Sequence, residues 1–480
     1  MRSAVDERTL LEHLAQFAGR VEYRHLPEDV RVSLRQRMLD VVGLVLASGP
    51  LETSSMALEV AEQWGAAGES GGARLIAQPG RLPAAGAAFV NGVLAHSLDF
   101  DDTHLPSVLH PSASIVPAAL AAGESVGAST HEVLAAAAAG YEICVRTGMA
   151  GYDRKLGNSV FFERGWHATS ICGTLAAAAV GAKIFGLGAD GIGHAMGIAA
   201  SMGAGIIEAN RSGGSVKKLH CGWAAHAGLV AAQLARAGIT GPPTAFEGRF
   251  GFYQAYLGGS LVAEEITRDL HPEDGTDWCI PGIFYKPYPA NHFTHAGIDA
   301  ARRLREQVDP AEIRSMQLRV ATAPHRTIGQ PREQKIRPQS GYHAQFSGPF
   351  TVAAALLGGG GLGLWLDDFS DRNAADPRYL ELASKVECVT DEECDAIFPN
   401  QFPAILRATL DDGRELEERV MVNRGGPQNP LSEEELKIKF FANAGRGTDR
   451  ATAEALAECI LDPSEKRADE WLAPLGSHKE

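Results

Sequence analysis

Two long stretches without an acidic or basic residue limit what this chain can fold into more than any other feature. They run from residue 165 to 182 and from residue 191 to 207, and both are rich in Ala and Gly. A membrane-spanning helix of this length normally carries Leu, Ile and Phe, whereas Ala and Gly let helices approach one another closely. We therefore expect buried helices in a closely packed helical core, and no membrane association.

Apolar periodicity extends the helical prediction over the rest of the first half of the chain. Between Pro27 and Ser48, apolar residues recur at steps of three and four, which predicts a helix with one buried stripe. A second helix is predicted to begin with Thr130 as its N-cap and to carry an i,i+4 ion pair between Glu142 and Arg146. The chain is therefore predicted to be helical up to about residue 237.

A change in composition at Asp269–Pro281 predicts a domain boundary. Charged residues, Gly and Pro lie together there between apolar runs, as in a linker. A chain of 480 residues is also too long for one simple core. We predict a mainly α fold with a large helical domain of residues 1–270, completed by residues 430–480, and an inserted, smaller α+β domain of residues 271–429.

Alternation of apolar and polar residues predicts strands in the second domain. Ser315–Ala321 alternates in this way, and residues 402–410 lead through an Asp-Asp-Gly turn to a partner strand at residues 415–422. The apolar run Gly348–Leu357 predicts a helix between them. Helical periodicity returns from Ser432, which suggests that the C-terminus rejoins the first domain.

Net charge and cysteine usage exclude several classes of function. The formal charge of -15 argues against nucleic-acid binding, because such proteins attract phosphate with clustered Lys and Arg. An anionic substrate would require locally concentrated positive charge. The seven cysteines are scattered and form no CxxC pair, which favours a reducing, cytoplasmic location. Charges in the first dozen residues argue against a secretory signal.

The densest group of polar residues runs from His96 to Ser112, between two apolar helical stretches. Carboxylates and imidazoles held close together shift one another's pKa values, which can prepare a general acid and a general base at one pH. Helix capping is the simpler explanation for any single Asp, Thr or Ser. The whole group favours a functional site.

Three further segments carry candidate residues. His167 precedes an Ala-rich helix, whose positive dipole end favours a neutral imidazole, although a core histidine is an equal alternative. Lys217 and His220 follow a Gly- and Ser-rich segment that matches no nucleotide-binding loop, and a solvated charged loop is the alternative there. Lys286 lies in Lys-Pro-Tyr-Pro. One interpretation is that Lys286 closes over a bound anion, and the alternative is that the two prolines only form a rigid turn.

These four motifs, in this order and in a chain of this length, resemble the MmgE/PrpD family. The resemblance covers nearly the whole chain, from the helix around Met38 to Phe346-Ser347. Known activities of the family include 2-methylcitrate dehydratase, cis-aconitate decarboxylase and iminodisuccinate epimerase. The resemblance implies a helical domain with an inserted α+β lid, a homodimer and an active site in the cleft.

The resemblance also implies which residues form the site. The Asp-Phe-Asp-Asp-Thr stretch gives Asp99 and Thr103, His-Pro-Ser gives His110, Gly-Trp-His gives His167, Lys-x-Leu-His gives Lys217, and Lys-Pro-Tyr-Pro gives Lys286. Tyr342 lies close in sequence to where the decarboxylase branch has a lid tyrosine. The neighbouring residues Asp101, Asp102 and His104 are expected to support the site or cap helices.

We expect a cofactor-independent enzyme that moves a proton beside a carboxylate. His110 and His167 form the predicted acid–base pair and Asp99 tunes one of them. The residues predicted to bind a small di- or tricarboxylate are Thr103, Lys217, His220 and Lys286. Dehydration of a 2-methylcitrate-like hydroxy acid is the predicted reaction, and epimerisation of a dicarboxylate such as iminodisuccinate or decarboxylation of an aconitate-like acid are the alternatives.

One departure from the family pattern weighs against decarboxylation. The decarboxylase branch has Trp-His after the Thr, where this chain has His104-Leu105, and the spacing from Asp99 to His110 is one residue longer.

Two interpretations outside the family stay open at this point. A divalent metal could be bound by the acidic and imidazole groups between Asp99 and His110. The further Asp of an Asp-rich magnesium motif is missing, since position 105 is Leu, so we expect no metal. A helical binding or scaffold protein would spread its polar residues over a surface instead of converging them in one cleft.

Overall fold

The computed structural model describes residues 7–66, 72–209, 214–273 and 275–476. The chain divides into two compact units. Unit one comprises residues 1–283 and 440–480, and unit two comprises residues 284–439. The fold is mainly α, as predicted, and the larger sheet lies in unit two.

Unit one is built from helices around one large apolar core. Its helices up to the start of unit two are α1 (Leu10–Arg20), α2 (Glu28–Ser48), α3 (Glu52–Glu62), α4 (Ala84–His96), α5 (Ser112–Val126), α6 (Thr130–Met149), α7 (Val160–Glu163), α8 (Ala168–Ile184), α9 (Gly188–Ala199), α10 (His220–Arg236), α11 (Phe252–Leu257) and α12 (Glu264–Thr267). Short 3-10 helices lie at Tyr23–His25, Val216–Leu219 and Ile280–Gly282. Two small antiparallel pairs join β1 (Ala73–Arg74) to β2 (Arg81–Leu82) and β3 (Tyr152–Asp153) to β4 (Asn158–Ser159).

Unit two combines short helices with a four-stranded sheet. Its helices are α13 (His295–Arg305), α14 (Thr322–Ile328), α15 (Arg332–Ile336), α16 (Gly341–Ala344), α17 (Gly348–Leu357), α18 (Asp371–Ala374), α19 (Pro377–Ser384) and α20 (Glu392–Ile397). Its strands are β5 (Ile313–Val320), β6 (Val386–Thr390), β7 (Ala404–Leu410) and β8 (Glu415–Val420). Short 3-10 helices lie at His292–Thr294, Pro310–Glu312 and Leu366–Phe369.

The C-terminal part of the chain returns to unit one. Helix α21 (Glu433–Ala444) begins in unit two and ends in unit one, and α22 (Arg450–Leu461) follows. The 3-10 helices Ala468–Glu470 and Ala473–Gly476 end the described chain.

The sheet of unit two has the strand order β6-β5-β7-β8. The predicted hairpin is confirmed, since β7 pairs antiparallel with β8 and Ala404 lies opposite Val420. The predicted strand around Ser315 is confirmed as β5, and the helix Gly348–Leu357 has the predicted bounds. The parallel strand β6 was not predicted, because its pairing with β5 joins residues about 70 positions apart.

Two details of the helix predictions were wrong. Helix α2 has no single buried stripe, because every residue from Arg37 to Ser48 is buried. The N-cap of α6 is Ser129, one residue before the predicted Thr130, and it forms a capping box with Glu132. The predicted ion pair is confirmed: Arg146 Nε lies 3.0 Å from Glu142 Oε2, and both side chains are buried.

The Ala- and Gly-rich stretches form closely packed helices over Ala168–Ile184 and Gly188–Ala199, as predicted, but the second stretch leaves the helix after Ala199, before its end at residue 207. A Cβ added to Gly228 of α10 would lie 2.5 Å from the Cβ of Ala177 in α8. Among the described residues, no single helix is long and apolar enough to cross a membrane, while the pair Glu28–Ser48 and Glu52–Glu62, bent by 98°, passes by length and composition alone.

A close helix crossing joins α4 to α10. A Cβ added to Gly222 of α10 would lie 2.4 Å from the carbonyl oxygen of Phe89, and one added to Gly92 of α4 would lie 2.8 Å from Gly222 Cα. Only Gly at both positions permits this approach. As a result, the C-terminus of α4, at His96, lies beside the N-terminus of α10, at His220.

We predict that Gly222→Ala destabilises unit one. The added methyl group meets backbone atoms that cannot move aside, and overpacking of this kind costs about 1–3 kcal/mol. Thermal unfolding should therefore begin several degrees lower than in the wild-type chain. Gly282→Ala is the matched control, because nothing lies within 4 Å of its added Cβ; equal midpoints for the two variants would show that the crossing is not tight.

Candidate active site

A loop between α4 and α5 brings the central acidic residues into the interior of unit one. A β-bridge between His104 and Leu109 closes part of this loop. Asp99 has a φ of 51° and Val108 a φ of 54°, both in the left-handed region that non-Gly residues rarely occupy. Such strain persists where the surroundings fix the backbone and is frequent at functional sites.

The carboxylate of Asp102 anchors the loop. Its Oδ2 accepts hydrogen bonds from Arg37 Nη1 at 2.6 Å and from Ser112 Oγ at 2.5 Å, and its Oδ1 accepts one from the Ser112 backbone N–H at 3.1 Å. Arg37 also donates to the carbonyl oxygens of Ile280 and Ile283 at 3.1 and 2.7 Å. Burial raises the pKa of Asp102, while the Arg37 guanidinium opposes that shift.

His110 is held from two sides. Its ring Nδ1 lies 2.7 Å from the carbonyl oxygen of Asp102 and 3.2 Å from Thr103 Oγ1, and its backbone N–H donates to Thr169 Oγ1 at 3.1 Å. A carbonyl can only accept, so Nδ1 carries the proton and, in the neutral ring, Nε2 has the lone pair. This tautomer makes Nε2 the atom that can accept a proton.

Lys217 forms a buried ion pair with Asp99. Its Nζ lies 2.9 Å from Asp99 Oδ1, and the two side chains are 8% and 3% exposed. Lys217 lies in the 3-10 helix Val216–Leu219 that leads into α10. The predicted positive charge is therefore inside the unit and beside the acidic loop.

His167 and His220 share a hydrogen bond between their Nδ1 atoms, which are 2.9 Å apart. One ring must donate and the other accept, so the two neutral rings have opposite tautomers. His167 precedes α8 and His220 begins α10, and the Ser170 hydroxyl donates to the His220 carbonyl oxygen at 3.0 Å. The α8–α10 packing thus fixes this pair.

These histidines are held in the neutral form. Burial and the Lys217 charge are the first two causes that lower the pKa of His167 well below its usual value. Burial and the charge of His96 lower the pKa of His220 to about 4. Burial also lowers the pKa of His104 to about 4, and its Nδ1 lies 2.6 Å from Ser107 Oγ.

His96 is the residue that sequence reasoning missed. It ends α4, and its Nδ1 lies 2.8 Å from Asp101 Oδ2. Its ring centroid lies 5.4 Å from that of His110 and 5.6 Å from that of His167. The signal in the sequence was the spacing of five residues between His96 and Asp101 at the end of a predicted helix.

The structure brings most of the predicted residues together and leaves two in unit two. The residues assembled in unit one are Asp99, Thr103, His110, His167, Lys217 and His220. Lys286 and Tyr342 belong to unit two, where Lys286 is buried, so their roles stay predictions. Residues 210–213 of the Gly- and Ser-rich segment lie outside the described residues.

The acidic residues do not converge as metal ligands would. Asp99 binds Lys217, Asp101 binds His96 and Asp102 binds Arg37. In the described part of the chain, the one group with metal-ligand spacing is His96, Asp101 and Cys221, whose atoms lie within 4.8 Å of one another. The 2.8 Å between His96 and Asp101 is a hydrogen bond, shorter than the roughly 3.3 Å between two ligands of one tetrahedral zinc ion.

Comparison with known proteins assigns both units to one family. The MmgE/PrpD N-terminal domain matches residues 12–265, and the MmgE/PrpD C-terminal domain matches residues 288–462.

Related proteins share less than a third of their residues with this chain. Cis-aconitate decarboxylase of Homo sapiens is 29% identical, with 94% of this chain and 91% of the relative covered. The enzyme of the same name from Mus musculus is 30% identical over 79% of this chain and 76% of its own. Cis-aconitate decarboxylase of Aspergillus terreus is 27% identical, with 82% of this chain and 81% of the relative covered.

We predict that Arg37→Met destabilises the chain by about 3–5 kcal/mol, because it leaves the Asp102 carboxylate buried without its cation. Urea unfolding monitored by circular dichroism measures the loss. The double variant Arg37→Met/Asp102→Asn should recover part of it. Arg407→Met removes an exposed pair with Glu417 and should change stability little; an equally small effect of Arg37→Met would contradict the proposed anchor.

Stability should also fall in mild acid. Because folding lowers the pKa of His104 and His220 from 6.5 to about 4, the unfolded chain binds protons that the folded chain excludes. Stability is therefore complete above pH 6.5 and is lost as pH falls toward 4, on the order of 2 kcal/mol for each histidine at pH 5. Urea unfolding at pH 7.5 and 5.0 measures this, and His220→Asn should reduce the difference; an unchanged difference would contradict it.

Proposed function

The chain belongs to the MmgE/PrpD family, and from that premise we propose that it is a lyase acting on a small polycarboxylate. The observation that carries the proposal is the group of His110, His167 and His220 around the buried Lys217–Asp99 ion pair. Neutral imidazoles can accept a proton, and a buried lysine can attract a carboxylate.

Substrate binding falls to Lys217 and Thr103 in this proposal. A carboxylate of the substrate would share the Lys217 ammonium with Asp99, and the Thr103 hydroxyl, next to His110 Nδ1, would donate a further hydrogen bond. Electrostatic attraction is strong there because both side chains are buried and water is largely excluded. His220 contributes by fixing the orientation of His167.

Dehydration of a 2-methylcitrate-like hydroxy acid is the first candidate reaction. A C–H bond next to a carboxylate breaks, its proton goes to a neutral imidazole, the electron pair forms the double bond, and the hydroxyl leaves as water with the proton that the imidazolium then gives up. His110 Nε2 is suited to take the first proton because Asp102 fixes the other ring nitrogen. His167 is the second member of the acid–base pair.

Decarboxylation of an aconitate-like acid is the second candidate, and the names of the related proteins favour it. Here the bond between carbon and a carboxylate breaks, CO₂ leaves, and an imidazole that has taken a proton from solvent delivers it to the carbon framework. The same proton-transfer groups serve both reactions. The His104-Leu105 sequence, which replaces the Trp-His of the decarboxylase branch, still argues against decarboxylation.

Several further properties are proposals that follow from the family and the sequence. We propose that no metal or organic cofactor takes part, since the three carboxylates near the histidines are engaged by Lys217, His96 and Arg37. A homodimer, a cytoplasmic location, a lid function of unit two and carboxylate binding by Lys286 stay predictions.

The reaction can be identified in one screen. The enzyme is treated with a metal chelator and incubated in D₂O with 2-methylcitrate, citrate, cis-aconitate and iminodisuccinate. Proton NMR then reports elimination, loss of CO₂ and exchange of the α-proton together. We expect elimination or decarboxylation of a tricarboxylate. Exchange with iminodisuccinate alone would indicate an epimerase, and no reaction with any acid would contradict a polycarboxylate lyase.

We predict that His110→Ala and His167→Ala each lower kcat by about 10²–10⁴-fold on the acid that reacts, because each removes a proton-transfer group. The thermal midpoint should change much less than the rate. His226→Asn is the matched control, since His226 lies on α10 and its ring bonds the carbonyl oxygen of Ala85, away from the cluster. Near-normal turnover of both alanine variants would rule out this acid–base pair.

A further inference from the structure

The His96–Asp101 pair lies at the centre of the histidine cluster and has no part in the chemistry proposed above. The two side chains are 1% and 0% exposed, and the atoms that join them are 2.8 Å apart. A buried carboxylate requires a cation or several donors to remain charged. An imidazolium at His96 supplies that cation at the shortest distance available.

His96 is held by Asp101 alone. Within the described part of the chain, its second ring nitrogen, Nε2, is buried and forms no hydrogen bond.

The charged and titratable groups around His96 come from the loop, α2, α8, α10 and the 3-10 helix Val216–Leu219. They are Asp99, Asp102 and His110 from the loop, His167 from the start of α8, Lys217 from the 3-10 helix, His220 and Cys221 from α10, and Arg37 from α2 through its bond to Asp102. Lys217 and Arg37 each already face a carboxylate. The rings of His110 and His167 lie next to His96, with centroids 5.4 and 5.6 Å from its own, so a charge at His96 acts on both.

We propose that the His96–Asp101 ion pair is a positioning pair that keeps His110 and His167 unprotonated, ready to accept the proton of the substrate. A positive charge at His96 repels a second proton from imidazoles whose centroids lie 5.4 and 5.6 Å away. The proposal deepens the proposed function and rests on it for its consequence in turnover. The lowered pKa of His167 and of His220, with the charge at His96 among the causes of both, supports it.

The pair can be tested by removing one charge and then both. His96→Asn keeps a hydrogen-bond donor for Asp101 but removes the positive charge. The negative charge of Asp101 is then no longer balanced by His96, and this favours protonation of His110 and His167. The acidic limb of kcat/KM should therefore move to higher pH by about one unit. In His96→Asn/Asp101→Asn both charges are gone, and the limb should return toward that of the wild type.

Two outcomes would overturn the proposal. One is a His96→Asn enzyme whose acidic limb stays at the wild-type pH. The other is a double variant whose acidic limb of kcat/KM lies at the same pH as that of His96→Asn. That result would indicate a structural loss, which a second substitution does not correct.

A measurement on the wild-type enzyme without substrate separates this proposal from the proposed function. Histidine-selective ¹⁵N labelling reports the charge of each imidazole, with signals assigned from single His→Asn variants. At pH 7 we expect His96 as an imidazolium and His167 as a neutral ring. A neutral His96 at pH 7 would overturn the pair, whatever acid the enzyme accepts; correct charges without turnover of any polycarboxylate would instead count against the proposed function.

Discussion

The site depends on the burial of one carboxylate, that of Asp102. Removing an ionised carboxylate from water costs several kcal/mol unless charges and hydrogen bonds replace the solvent. Arg37 and Ser112 provide that replacement, and Arg37 also ties the loop to the carbonyl groups of Ile280 and Ile283. Because the Asp102 side chain is fixed, its own carbonyl group is fixed too, and this carbonyl sets the tautomer of His110.

Close helix packing supplies the second half of the site. The Gly92–Gly222 crossing brings the end of α4 to the beginning of α10, and α8 begins beside both. Three helix ends therefore deliver His96, His167 and His220 to one small volume from which water is excluded. In that volume His167 and His220 remain neutral, and Lys217 supplies a positive charge inside a chain of net charge -15. The overall charge of the protein thus says little about the local field of its site.

Local patterns in the sequence predicted the helices and the hairpin, because their contacts join residues close in sequence. The helix Gly348–Leu357 and the β7–β8 hairpin follow from periodicity and turn composition. The features that the sequence could not predict depend on contacts between residues distant in sequence. Arg37 meets Asp102 across 65 residues, and the parallel strand β6 pairs with β5 across about 70. The candidate residues came from motif resemblance, and His96 was not among them although it begins the polar group that runs to Ser112.

In the proposed mechanism, the histidines and Lys217 of unit one bind and deprotonate a polycarboxylate. A crystal structure with tricarballylate, a tricarboxylate without a hydroxyl or double bond to react, tests this most directly. We expect one carboxylate of the ligand within hydrogen-bond distance of Lys217 Nζ and a carbon beside His110 Nε2. A ligand that binds away from Lys217 and the histidines, or soaked crystals in which this group of residues stays empty, would contradict it.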